Sequence, residues 1–257
     1  MTAVRVILFA LFGVAFGSFL TVLVHRTPQR LSPVSGRSRC LHCGATIGAR
    51  DNVPVVSYVL LRGRCRHCGK RISPEYPLTE LATGALFVGA ALTYHDVFVA
   101  AVLATFLGLL LSLALIDIRH KIIPNVITYP SLSVFAVVLL LGGAVGRNID
   151  LVRAGLGFLA FGTGLLVLAL IRPGGMGMGD VKLAALIGLV LGSQGLRYVA
   201  VAAAGAVLAG GVGGVVALLM GMSRKSAIPF GPYLVAGAIA SAFWAGPIAR
   251  VYLSSPG

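Results

Sequence analysis

The sequence predicts an all-α polytopic membrane protein, with about eight transmembrane helices and a small cytoplasmic zinc-knuckle module between the first and second. Three observations carry this expectation. The 257 residues are 58% hydrophobic with a mean hydropathy of +0.96, and apolar runs of about 20 residues, enough to span a bilayer, recur along most of the chain. The one long polar stretch, 25–78, holds all four cysteines. The basic residues gather in alternate loops, as cytoplasmic loops do.

The apolar runs place spans at about 4–24, 79–95, 97–117, 126–146, 151–171, 181–195, 197–222 and 230–252. The first is too long for a signal peptide and has no clean small-residue cleavage site after it, so it reads as a retained helix. The chain therefore divides into a first helix (1–24), a cytoplasmic four-cysteine module (25–78) and a seven-helix membrane core (79–257). The 34 glycines suit helices that pack closely without a hydrophobic driving force. The clearest small-residue face is GAVLAGGVGGVVALLMG, with Gly210 and Gly214 four apart.

The net charge of +14 does not indicate nucleic-acid binding. With the N-terminus outside, most of the 21 Lys and Arg residues fall in inner loops, including Arg119, Lys121, Arg172, Lys182, Arg224 and Lys225. Only Arg5, Arg147, Arg153, Arg197 and Arg250 lie on or near the outer face. Anionic lipid headgroups are the natural partners of such a surplus. The same topology places both termini outside and puts Asp117 and Asp180 at one face, the cytoplasmic one.

The module contains an internal repeat. Arg39-Cys40-Leu41-His42-Cys43-Gly44 matches Arg64-Cys65-Arg66-His67-Cys68-Gly69 at an offset of 25 residues. Each copy is a Cys-x-x-Cys turn followed by a glycine able to take the positive φ the turn requires. Two such pairs point to one tetrahedral Zn2+ site held by Cys40, Cys43, Cys65 and Cys68. Two disulfides are the competing arrangement, which a reducing cytosol disfavours. Four sulfurs leave no open position, so the metal is structural, a staple for some fifty residues with little apolar content. His42 and His67 read as solvated loop residues.

Among only seven acidic residues, Asp117 and Asp180 end long apolar or glycine-rich runs. An ionisable group at membrane depth is costly and is a functional candidate by default. Two carboxyls sharing a proton can activate a water for peptide hydrolysis, and the pair titrates as a unit. Each aspartate has a backbone device beside it. Ile123-Pro124-Asn125 breaks and restarts the helix, with Asn125 as N-cap. Gly177 and Gly179 remove side chains, so an extended substrate backbone can approach.

These residues resemble a family along nearly the whole chain, the type IV prepilin peptidases, polytopic aspartic proteases with a Gly-x-Gly-Asp motif. GSFL at 17–20 with His25-Arg26 resembles the first helix of that family. Asp51 through Tyr58, the four-cysteine module and Tyr76-Pro77-Leu78-Thr79-Glu80 resemble its cytoplasmic domain. Asp117 through Asn125, GMGMGDVKL and Ile228-Pro229-Phe230-Gly231-Pro232 resemble its core. The resemblance implies that Asp117 and Asp180 are catalytic, supported by Gly177, Gly179, Pro124, Asn125 and Lys182. It implies cleavage of prepilin or pseudopilin leaders after a glycine, at the cytoplasmic face of a bacterial inner membrane. It further implies N-methylation of the new terminus with S-adenosylmethionine as donor. Thr21, Thr27 and Leu41 depart from the family pattern, where asparagine, leucine and proline are usual. Thr21 bears on methylation, and no nucleotide-binding glycine fingerprint accompanies it.

The alternatives are a proton-coupled transporter, which predicts acids at mid-membrane and inverted helix repeats, and a zinc-knuckle adaptor, which leaves the aspartates unexplained. Helix dipoles suggest roles within the pair. Asp180 at a helix N-terminus would be the ionised base, and Asp117 at a helix C-terminus the acid.

Overall fold

The computed structural model describes residues 2–32, 35–171, 176–221 and 229–253, the side chains of Thr2 and of 247–253 excepted. Arg172, Arg224, Lys225, Ile228 and the side chain of Arg250, on which parts of the topology and motif reading fell, lie outside the described residues. The long helices are α1 (Thr2–Arg26), α3 (Glu75–Thr93), α4 (Val97–His120), α5 (Asn125–Ala144), α6 (Leu151–Ile171), α7 (Met178–Gly192), α8 (Leu196–Leu219) and α9 (Gly231–Leu253). A short helix, α2 (Val56–Leu60), lies between α1 and α3. Extended pairing among the described residues amounts to two isolated bridges, Arg39 with Thr46 and Arg64 with Arg71.

Helices α1, α4, α5, α6 and α8 are long and apolar enough to cross a membrane, and the protein is a multi-pass membrane protein. The expected number was about eight. Helix α7 has only 15 residues, a rise of about 22 Å at 1.5 Å per residue, short of an approximately 30 Å hydrocarbon core. Helix α3 starts four residues before the expected span, so Tyr76 through Glu80 belong to the helix. Pro77 is tolerated there because its missing N–H falls in the first turn.

Met1–Ser112 and Leu113–Gly257 form two compact units. In the first, α1 packs along α3 at glycines. A Cβ on Gly13 would stand 2.7 Å from Phe87 Cβ, and one on Gly17 2.8 Å from Glu80 Cα. Phe9, Phe16 and Phe87 fill the seam, with ring centroids 5.8–6.3 Å apart. Arg5 closes the far end, donating to the His95 carbonyl at 2.9 Å and to that of Tyr94.

In the second unit α7 is the central helix, in contact with α5, α6, α8 and α9. Leu183, Leu186, Ile187 and Leu191 are fully buried. Gly157 and Gly188 bring α6 and α7 so close that a Cβ on either would collide with the other's carbonyl oxygen. Helices α8 and α9 also meet closely: a Cβ on Gly237 would collide with the Ala202 carbonyl oxygen, and one on Gly205 would stand 3.1 Å from Gly237 Cα. The small-residue stretch expected at 205–221 does meet a partner, at Gly205, Gly210 and Gly213, the last against the Tyr233 ring, but not at Gly214. Gly210 lies beside Phe230, and a Cβ on Gly214 would meet nothing within 4 Å. The i, i+4 spacing identified a small-residue stripe, but the stripe does not select which face receives a partner.

Candidate active site and metal centre

Asp117 sits in the last turn of α4 and is 5% exposed. Its Oδ2 accepts the backbone N–H of Gly231, the first residue of α9, at 3.1 Å. A Cβ on Gly231 would stand 2.6 Å from that oxygen and 3.3 Å from Ile123 Cδ1. The chain leaves α4 through Lys121, whose φ of 53° turns it sharply while its N–H bonds the Asp117 carbonyl at 2.8 Å. Pro124, extended at ψ 127°, is the N-cap of α5. Its carbonyl accepts the N–H groups of Ile127 and Thr128 and the Thr128 hydroxyl. Asn125 is the first helical residue and not the cap expected of it; its side chain serves Lys182 instead.

Asp180 is the third residue of α7 and is 8% exposed. Its Oδ2 accepts the Gly177 N–H at 3.3 Å, a reach back to the N-cap position. A Cβ on Gly179 would stand 2.9 Å from Ile123 Cβ, so Ile123 touches the glycine position beside each aspartate. Lys182 Nζ donates to Asn125 Oδ1 at 2.8 Å and lies 4.9 Å from the centroid of the Tyr129 ring. The structure thus brings Asp117, Asp180, Gly177, Gly179, Pro124, Asn125 and Lys182 into one neighbourhood. Ile123, expected only as part of the helix break, also packs against both glycine positions, and Tyr129 and the Gly231 N–H join the neighbourhood unforeseen, although Gly231-Pro232 at a helix start was a usable signal.

Helix dipoles do not separate the two carboxyls as expected from their positions in the sequence. Asp117 ends α4, but it also accepts an N–H from the N-terminus of α9, as Asp180 does from that of α7. Each carboxylate therefore has a positive helix end against it.

The four cysteines lie on two matching turns. Cys40 N–H bonds the Ala45 carbonyl and Gly44 N–H the Cys40 carbonyl, each at 2.9 Å. The second copy repeats both distances with Lys70, Gly69 and Cys65. Gly44 and Gly69 have φ of 70° and 67°. All four thiols are free and their sulfurs lie within 4.8 Å of one another, Cys40 and Cys68 at 3.8 Å. A tetrahedral site with metal–sulfur bonds of about 2.3 Å has sulfur–sulfur edges of about 3.8 Å. The donor set therefore fits a four-thiolate metal, and His42 and His67 are exposed outside it. Backbone N–H groups of Cys43 and then His42 hold the Cys40 thiol down at about 6. Those of Cys68 and His67 lower Cys65 likewise. For Cys68 the Lys70 N–H favours the thiolate, but burial and the Cys43, Cys65 and Cys40 thiols outweigh it and push it up to about 11.

Comparison with known proteins matches residues 11–94 to the bacterial peptidase A24 N-terminal domain and 104–218 to the type IV leader peptidase family. Three relatives are each named prepilin leader peptidase/N-methyltransferase. That of Bacillus subtilis is 36% identical over 95% of this chain and 96% of its own. One from Burkholderia pseudomallei is 34% identical over 91% and 84%. One from Pseudomonas aeruginosa is 31% identical over 96% and 93%. No solved structure matches.

Proposed function

The chain belongs to the type IV leader peptidase family, and from that membership we propose that Asp117 and Asp180 are the catalytic pair of its prepilin-processing activity. The observation that carries this reading is the shared setting of the two carboxyls. Both are buried, each accepts one backbone N–H from a glycine at a helix start, and Ile123 touches the glycines beside both. Two carboxyls that flank one water share one proton between them. The ionised carboxylate takes a proton from water as the water attacks the scissile carbonyl carbon. The protonated carboxyl donates to the carbonyl oxygen. Collapse of the resulting diol returns a proton to the departing amine as the C–N bond breaks. Gly177 and Gly179 supply the side-chain-free edge along which an extended leader can lie.

The substrates are prepilins or pseudopilins, cut after a glycine just before their apolar segment. The active face is cytoplasmic, in a bacterial inner membrane, as the distribution of Lys and Arg supports. Zn2+ on Cys40, Cys43, Cys65 and Cys68 staples the module, and S-adenosylmethionine supplies the methyl group for the new terminus. No observation favours a proton-coupled transporter, since both aspartates lie at helix ends. Co-expression of a prepilin with wild type, Asp117→Asn or Asp180→Asn, followed by mass spectrometry of its N-terminus, tests the assignment. Wild type is expected to cleave and both variants to leave the leader in place; full activity in either variant overturns it.

A further inference from the structure

We propose that the end of the α1–α3 pair nearest the cysteine module, centred on Glu80, is the site of N-methyl transfer. There Glu80 holds the substrate's new N-terminal ammonium, and the stacked rings of His25 and Tyr76 face the sulfonium of the methyl donor. The inference rests on the methyl-transfer reading above and assigns that reaction its residues.

Glu80 is a carboxylate that proteolysis does not use. It is 7% exposed, a placement that is expensive for a charge and that marks function when nothing else explains it. Its partners are neutral donors, the Val55 backbone N–H at 2.7 Å and the Ser18 hydroxyl. An ammonium brings a full opposite charge to the carboxylate, which a hydroxyl dipole does not. An incoming ammonium can therefore displace the Ser18 hydroxyl while the Val55 N–H keeps the carboxylate in place.

Val55 is itself an outlier. A β-branched residue at φ 60°, ψ −51° is in a conformation that L side chains rarely adopt. Such strain survives where its surroundings over-determine it, and it gathers at functional sites. What holds Val55 is the Glu80 carboxylate on one side and the cysteine module on the other. Arg66, inside the second knuckle, grips Asp51 through two bonds of 2.8 and 2.7 Å. The Ser57 hydroxyl donates to the Arg50 carbonyl at 2.9 Å. The segment 50–57 thus ties the second knuckle to Glu80, giving the module a part in methyl transfer beyond its own folding.

Tyr76 precedes Glu80 by one helical turn on the same face of α3. Its ring stacks on His25 with centroids 4.9 Å apart and planes 23° from parallel. Both rings are partly exposed, so a π face is available to a cation. The α-ammonium, whose pKa is about 7.7–8.0, loses its proton to water in a useful fraction near neutral pH. The freed nitrogen lone pair then forms the N–C bond to the methyl carbon. The C–S bond breaks, its electron pair goes to sulfur as a neutral thioether, and the methylammonium product rests on Glu80.

The test uses full-length protein in detergent, S-adenosylmethionine with a labelled methyl group, and two substrates: an intact prepilin and a synthetic peptide with the mature free amine. Glu80→Gln keeps the acceptor for Val55 N–H and removes the charge. It is expected to lower methyl transfer per cleaved chain at least tenfold and to raise the KM for the peptide, while metal content and cleavage persist. Tyr76→Leu is expected to raise the KM for the donor more than that for the peptide, and Tyr76→Phe to restore it. Wild-type methylation by Glu80→Gln overturns the site, and so does joint loss of metal, cleavage and methylation, which would make Glu80 a structural clasp. If wild type itself methylates neither substrate, the methyl-transfer reading fails, a result visible without any variant.

Discussion

The Gly231 N–H bonds Asp117 Oδ2 at 3.1 Å, and a Cβ on Gly231 would stand 2.6 Å from that same oxygen. The residue that orients the carboxylate must therefore be one without a side chain. Gly231→Ala is expected to push Asp117 out of register and to lower the single-turnover cleavage rate by about tenfold or more, a barrier change of roughly 1.4 kcal/mol. Helical content should be unchanged by circular dichroism. Wild-type cleavage by this variant would mean that the oxygen moves freely and that the bond does not orient it.

That relationship spans 114 residues and marks a limit of sequence reading here. Asp117, Asp180 and the paired knuckles were legible because their signals are local: an acid closing an apolar run, a repeat at fixed spacing, a glycine where a turn demands positive φ. The long apolar helices among the described residues were legible for the same reason. The packing that seats Gly231 on Asp117, or Gly157 on Gly188, depends on which helix faces meet, and no single segment encodes that. Asn125 shows the same limit at short range. Its residue type suits an N-cap, but Pro124 takes that position and Lys182, 57 residues away, claims the amide.

The metal is expected to leave as the pH falls. Thiolates bind metal and thiols do not, so binding releases protons. Cys40, held at about 6, is ionised at neutral pH, whereas Cys68, at about 11, ionises only when the metal displaces its proton to solvent. Zinc titrated out of purified protein with a chromogenic chelator should be retained near pH 8 and released in mild acid. Cys68→Ser should release it at higher pH than wild type. Protein isolated metal-free with two oxidised cysteine pairs would remove the four-thiolate site.

The Asp51–Arg66 clamp should persist through that acid range. The hydrogen bond from Arg66, then its charge, holds the Asp51 carboxyl below its usual range. Its stabilising contribution is complete above the unfolded carboxyl value of about 3.9 and is lost only as the pH falls through the lower folded value. Loosening of the module in mild acid is therefore assigned to the cysteines. Limited proteolysis across pH should show Asp51→Asn cut faster than wild type at pH 7, with the difference vanishing well below pH 4. Arg66→Lys should resemble Asp51→Asn, because an ammonium cannot reproduce the two-pronged guanidinium grip.

Lys182 ties the start of α7 to the start of α5, and its removal should slow cleavage without unfolding the protein. Its ammonium donates to Asn125 Oδ1 at 2.8 Å and lies over the Tyr129 ring at 4.9 Å. Asp180 is two residues earlier on α7, and Pro124, which caps α5, directly precedes Asn125. The tie therefore sets the spacing between the start of α7, which carries Asp180, and the turn from α4 into α5 that follows Asp117. A hydrogen bond to a charged group contributes about 1.5–3 kcal/mol when well buried, and partial exposure here reduces that to roughly 1 kcal/mol. Lys182→Met is accordingly expected to lower the cleavage rate about fivefold. Lys182→Arg, which can still reach the amide and stack on Tyr129, should fall between Met and wild type. Asn125→Ala combined with Lys182→Met should be no slower than Lys182→Met alone, because both changes remove one interaction. Fully additive losses in the double variant would show that Lys182 and Asn125 act separately, and the spacing role would then be withdrawn.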